Sequence, residues 1–277
     1  MTGSAQVAYR HALLAARSPD GGFGPRPGLP SEPEPTALAA LALDDEEARG
    51  WLATNQRTDG TLAMSLGSVE NDAATALASL ALTDPARARA LDAVEATQAA
   101  SFPSTPAIPF DDRLRGWPWT RDAFGWVEPT AHAVLALRLL RPESSSAVND
   151  GIGLLRDREC VGGGWNYGNR VVLDEELPPF AQPTAVAMLA LQDVEDAELW
   201  QRGMTTLRRL WRLESAGGLS LAVASAALRA NRDPDAAACA AALSDNFSRT
   251  RFSDDVVALA WAVIATGPGL DRLEVQT

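Results

Sequence analysis

Two ionisable groups at helical spacing are the first chemistry legible in this sequence. Glu128 and His132 lie four residues apart in the segment EPTAHAVLALRLL, which puts them on one face of a helix. A carboxyl and an imidazole so placed could move protons at a shared substrate. Asp254 and Asp255 are adjacent, as are Asp111 and Asp112, and neighbouring carboxyls raise one another's pKa toward the range a general acid needs. Glu34 and Asp72 open earlier segments of the same type as the one Glu128 opens. These acids also have a plainer role, since a carboxylate in a first helical turn bonds free N–H groups and complements the helix dipole, which lowers its pKa. His132, on an otherwise apolar segment, equally suits a hydrogen-bonded core position. The catalytic candidates are therefore Glu128, Asp254, Asp255 and His132.

Aromatic residues form the second constellation. Trp117, Trp119 and Trp126 precede one Ala-rich segment, and Trp165 and Tyr167 precede the next, with Asn166 between them. Both junctions are long, and long loops inside compact folds are often functional. Aromatic faces there either line a pocket, where they can stabilise cations, or pack the loop onto the rim. Asn166 could orient a polar group of a ligand. With Asp72 and Glu34, these six aromatic and amide residues make up the candidate substrate-binding set.

The elements that would position them repeat. Residues 34–43, 71–82, 128–140, 182–191, 219–230 and 254–265 are Ala- and Leu-rich, apolar nearly all round, and predict helices buried on every side. Thr36, Thr75, Thr130 and Thr184 recur near the starts of the first four. Before each lies a segment with a polar face, at 6–17, 45–55, 85–99, 147–158, 196–213 and 234–245. Asp84-Pro85 and Asp233-Pro234 place N-cap candidates before a proline at the first helical position. Inner and outer helices in alternation bury most apolar surface as a ring, and the last apolar segment, with Val256, Leu259 and Trp261, lacks the polar face of a solenoid cap. The expected fold is all-α, an α6/α6 toroid occupying residues 1–277 as one domain.

Composition narrows the partners. The net charge is -12, which opposes binding to nucleic-acid backbones or anionic membranes. Cys160 and Cys239 are the only cysteines, too few for a disulfide framework or a four-cysteine zinc site. No apolar run approaches the roughly 20 residues that span a bilayer, and the first residues lack a signal-peptide pattern, so a cytoplasmic location is expected.

The junctions carry a finer signature: Trp51-Leu52, Gln56 and Asp59-Gly60, with looser copies at Arg17 and Asp20-Gly21-Gly22-Phe23, at Leu154-Leu155, Glu159 and Gly162-Gly163-Gly164-Trp165, and at Leu210, Glu214 and Gly217-Gly218. These resemble the QW repeats of the squalene-hopene cyclase, terpene cyclase and protein prenyltransferase superfamily. The resemblance spans the whole chain and implies a toroid whose central cavity holds an isoprenoid or similar apolar chain. Aligned on the threonine of that superfamily's D-x-D-D-T-A motif, Glu128 stands at the acid's position, with Glu34 and Gln182 there in the first and fourth repeats. Phe252-Ser253-Asp254-Asp255 keeps the motif's final two acids. No cysteine has the Asp two positions earlier that zinc-binding prenyltransferases use, so no metal site is expected, and Mg2+ would enter only with a diphosphate substrate. The resemblance thus implies a terpene-cyclase-like protein. Two other readings fit the same residues: a non-catalytic toroid holding a lipid or protein partner, and a carbohydrate-active α6/α6 barrel with paired carboxylates and Trp platforms. A deep apolar cavity, a filled barrel or an open acidic cleft with exposed Trp, respectively, separates the three.

Overall fold

The computed structural model describes residues 2–68, 72–97, 99–143, 145–213 and 216–275. The helix start expected at Asn71 and the Glu214 of the fifth junction lie outside them. The chain folds into inner helices α2 (Pro33–Leu43), α4 (Ala74–Ala81), α6 (Val127–Leu140), α8 (Ala181–Ala190), α10 (Gly218–Ala230) and α12 (Val256–Thr266). Outer helices are α1 (Thr2–Ala15), α3 (Glu46–Asn55), α5 (Ala86–Ala96), α7 (Ser145–Asp157), α9 (Ala197–Leu210) and α11 (Ala236–Thr250). A two-residue hairpin, β1 (Val171–Val172) with β2 (Glu175–Glu176), decorates the junction before α8.

Apolar character on every side dictates the place of the inner helices. In α8, for example, every residue from Pro183 to Ala190 is buried, and the many alanines let neighbouring backbones approach closely. Each inner helix packs on the next, and α12 packs on α2, so the ring closes. The expected all-α toroid is the observed fold.

The outer layer differs from the expected pairing in one respect. An outer helix packs against the inner helix before it, α3 on α2 and α5 on α4, while α1 packs on α12. The hairpin unit is therefore inner-then-outer, and α1 completes the last pair across the closure. The predicted proline starts are also corrected. Helix α5 begins without a side-chain cap, and Asp233 receives the Asp235 N–H at 2.9 Å and binds Arg208 at 2.6 Å instead of capping α11. Side-chain caps are made by three other aspartates, each directly before its helix: Asp45, Asp196 and Asp255 accept from Ala48, Leu199 and Ala258 at 2.9–3.0 Å.

The recurrent threonines fasten loops to helices. Thr36, Thr75, Thr130 and Thr184 are buried, and each hydroxyl accepts the N–H of one junction residue, Phe23, Leu62, Trp117 and Trp165, at 2.9–3.0 Å. Thr36, Thr130 and Thr184 also donate to the carbonyl of that same residue, at 3.1–3.4 Å, whereas Thr75 donates to the Asp72 carbonyl at 2.7 Å. The glycine before Trp117 is required here: Gly116 has φ +55°, and a Cβ on it would stand 2.6 Å from the Thr130 hydroxyl.

At the C-terminal ends of the inner helices, the 3-10 segment Pro268–Arg272 crosses the ring. It packs on α12 and α2, buries Leu270 and Leu273, and reaches α8, where Gln192 donates to the Leu273 carbonyl at 2.8 Å and accepts the Val275 N–H at 3.3 Å. Helices α2 and α8 lie opposite one another in the ring, so this strap closes one end of the barrel.

Candidate functional site

The other end, where the inner helices begin, holds a cavity of about 390 Å³. First-turn residues of five inner helices reach it: Glu34 from α2, Glu128 from α6, Gln182 from α8, Leu219 from α10, and Val257 of α12 with the capping Asp255. His132 stands one turn deeper on α6, and Trp119 and Trp261 form aromatic walls. Arg26, exposed, is the cation at the rim.

Electrostatics sets these carboxyls apart from surface acids. Burial, then the charges of Glu128, Asp255 and Glu32, push Glu34 up to about 7 from its ordinary 4.5. The helix N-terminus opposes that shift, and loss of water with like charge outweighs it. Burial also raises Glu128, but its Oε1 accepts the Gln182 side-chain N–H at 3.0 Å, which favours the ionised form. His132 is fully enclosed, burial pulls it down to about 4, and its Nε2 has no protein partner. It is a neutral imidazole at the cavity wall with an unspent hydrogen-bonding atom.

Other expected site residues are placed differently. Asp254 is exposed, at φ +59°, outside the cavity lining. Asp72 is bound by Arg57 at 2.5 Å and by Arg121 at 2.5 Å, so its charge is spent in an ion pair before α4. Asp111 is likewise paired with Arg113. Trp117 and Trp165 are buried pegs under the threonine clasps, their indole N–H groups donating to the carbonyls of Val94 and Leu155 at 2.8 and 2.7 Å. Asn166 is consumed in its own turn, accepting from Gly168 N and donating to Asn169 O. Trp126 stacks on Phe124 at 4.7 Å. Tyr167 is 44% exposed beside Phe180.

Gln182, Trp261 and Arg26 belong to the mouth but not to the expected set. Trp261 had a signal, being the one tryptophan on an inner segment; Arg26 had none. Among the described residues, no three His, Cys, Asp or Glu side chains are grouped to hold a metal ion, and no helix is long and apolar enough to cross a membrane.

No family model and no curated protein matches the sequence. Among solved structures, an inactive variant of an alpha-1,6-mannanase of Salegentibacter sp., in complex with alpha-1,6-mannotriose, is similar over 99% of both chains, with TM-score 0.65 and 9% identity. Salmonella alpha-2-macroglobulin is similar over 94% of this chain and 17% of that one, with TM-score 0.53 and 15% identity. Escherichia coli alpha-2-macroglobulin gives TM-score 0.50 at 14% identity, with the same coverage. At these identities the likeness is one of fold, the α/α toroid. It does not extend to the terpene cyclases. The isoprenoid reading is corrected: the structure matched end to end is a mannanase holding an oligosaccharide, and the mouth sets three carboxyls, an amide, an imidazole and a guanidinium among apolar walls, which suits a ligand with polar edges.

Proposed function

We propose that the chain is a carbohydrate-active protein that hydrolyses a glycosidic bond at the toroid mouth. The observation that carries this reading is the pair Glu34 and Glu128, two carboxyls of raised pKa in one cavity walled by Trp119 and Trp261. Glycoside hydrolysis needs one protonated and one ionised carboxyl, and two carboxyls buried in one site resist ionising together, so that the pair holds one proton. Glu34, shifted to about 7, keeps its proton near neutrality and gives it to the leaving oxygen. Glu128, whose Oε1 accepts the Gln182 N–H, acts as base or nucleophile once the shared proton resides on Glu34. The hydrolytic water supplies hydroxyl to the anomeric carbon and returns a proton to the pair. The half-buried Trp119 offers an apolar face to a pyranose ring, and the buried His132 and Trp261 form the wall beneath it. The end-to-end likeness to a mannanase supports the substrate class.

The test is incubation with α-1,6-manno-oligosaccharides and a panel of other neutral oligosaccharides, with mass spectrometry of the products. Shortened sugars are expected from the native chain. Glu34→Gln and Glu128→Gln should each lower the rate by at least about 100-fold, with helical content and melting unchanged or improved. Binding by calorimetry without cleavage would favour a non-catalytic sugar-binding toroid. Neither binding nor cleavage of any oligosaccharide would overturn the reading.

A further inference from the structure

A second cavity, of about 350 Å³, adjoins the mouth, and Gln182 lines both. We propose that it is a second sugar subsite, holding the continuation of a neutral glycan chain whose scissile bond lies at the mouth; this rests on the glycosidase reading of that mouth.

Its floor is an aromatic platform. Tyr167 and Phe180 are 44% and 46% exposed, with ring centroids 5.7 Å apart and planes tilted by 32°. Among the described aromatic residues, Phe102 alone is comparably exposed, and its edge packs on Phe124. Leu213, also exposed, extends the same apolar surface. A contiguous apolar patch beside a polar cavity marks a binding surface rather than an accident of folding.

The platform is held rigidly. The Phe180 N–H donates to the Trp165 carbonyl at 2.9 Å, and the Tyr167 carbonyl accepts from Val127, the residue before Glu128, at 3.1 Å. Polar groups are few: the Gln182 amide, Ser220, and Arg209 as the one charged residue of the lining. Apolar faces with a few hydrogen-bonding groups suit a ring with an apolar face and hydroxyl edges, which is the chemistry of a pyranose. The single amide between the cavities makes the occupant of one a neighbour of the occupant of the other. Gln182 also binds Glu128, so a sugar here would help fix the amide that holds the reacting carboxylate.

The chain has two tyrosines, and Tyr9 is fully buried in the core. Selective tyrosine labelling with NMR therefore reports on Tyr167 with an internal control. Titration with α-1,6-mannotetraose should shift the Tyr167 ring signal and leave Tyr9 in place. In kinetics, the gain in kcat/KM from disaccharide to tetrasaccharide should shrink about three- to tenfold in Tyr167→Ala and in Phe180→Ala, and Tyr167→Phe should restore it. A Tyr167 shift without cleavage keeps the subsite and removes the hydrolytic mechanism. No Tyr167 shift with any neutral oligosaccharide at millimolar concentration, or an undiminished chain-length gain in both alanine variants, overturns the subsite whatever the activity at the mouth.

Discussion

Glu34 and Asp72 open equivalent inner helices and have opposite fates, because their partners differ. Asp72 meets two arginines, one of them 49 residues away, and its charge is spent. Glu34 meets Glu128, Asp255 and Glu32, and is driven up to about 7. That shift links stability to pH. The unfolded chain ionises this carboxyl near 4.5 and the folded chain only near 7, so raising the pH through this window favours unfolding, and the penalty is complete above 7. At 1.36 kcal/mol per unit the upper bound is about 3 kcal/mol, reduced by the water that the open mouth admits. Urea unfolding followed from pH 4.5 to 8 should show a loss of stability in this window that Glu34→Gln removes. An identical pH profile in native and variant would sink the assignment. His132, pulled down to about 4 in the fold from its ordinary 6.5, acts in the opposite direction, its stability contribution rising as the pH climbs toward 6.5. The Glu34 effect is therefore read as the difference between the native and Glu34→Gln profiles.

At the scale of the element, the clasps explain why a threonine recurs where the inner helices begin. Each one satisfies the N–H of a buried junction residue, and an orphaned buried N–H costs about 1–3 kcal/mol. Thr184→Val, which keeps the shape and removes the hydroxyl, should therefore destabilise the fold by about that amount, and Thr184→Ser should recover most of it, as read by denaturant midpoints. Equal stability of the valine variant would show the clasp to be incidental. The helices themselves were legible in the sequence, since Ala-rich segments without a polar face can only be interior and the alternating polar-faced segments only peripheral. Their pairing was not, because either neighbour could have covered an outer helix and only packing selects the preceding one. The threonine spacing was visible, but its purpose was not. It depends on where the loop returns, which also turned Trp117 and Trp165 into pegs while leaving Trp119 at the mouth. Of the expected site residues, Glu34, Glu128, His132, Asp255 and Trp119 meet in one cavity, since helix starts in a closed ring share one end. The occupant of that cavity was misread as an isoprenoid, because the repeats specify a ring and carry no information on what the ring encloses.

At the scale of the molecule, closure involves both ends of the described chain, α1 on α12 and the segment Pro268–Arg272 across the barrel end. Burying Leu270 and Leu273 fully contributes roughly 1.5–3 kcal/mol each, and Gln192 ties the far end of the strap through Leu189, Leu273 and Val275. Gln192→Ala should cost about 1–3 kcal/mol, and truncation before Pro268 should cost more, measured by thermal and urea unfolding. A truncated chain of native stability would make the strap an ornament. The strap also decides traffic. A ring closed at one end has a single door, so a polymer cannot be threaded through it and reeled along. A long chain must lie across the rim or enter by its tip, and what is released must leave before anything else comes in.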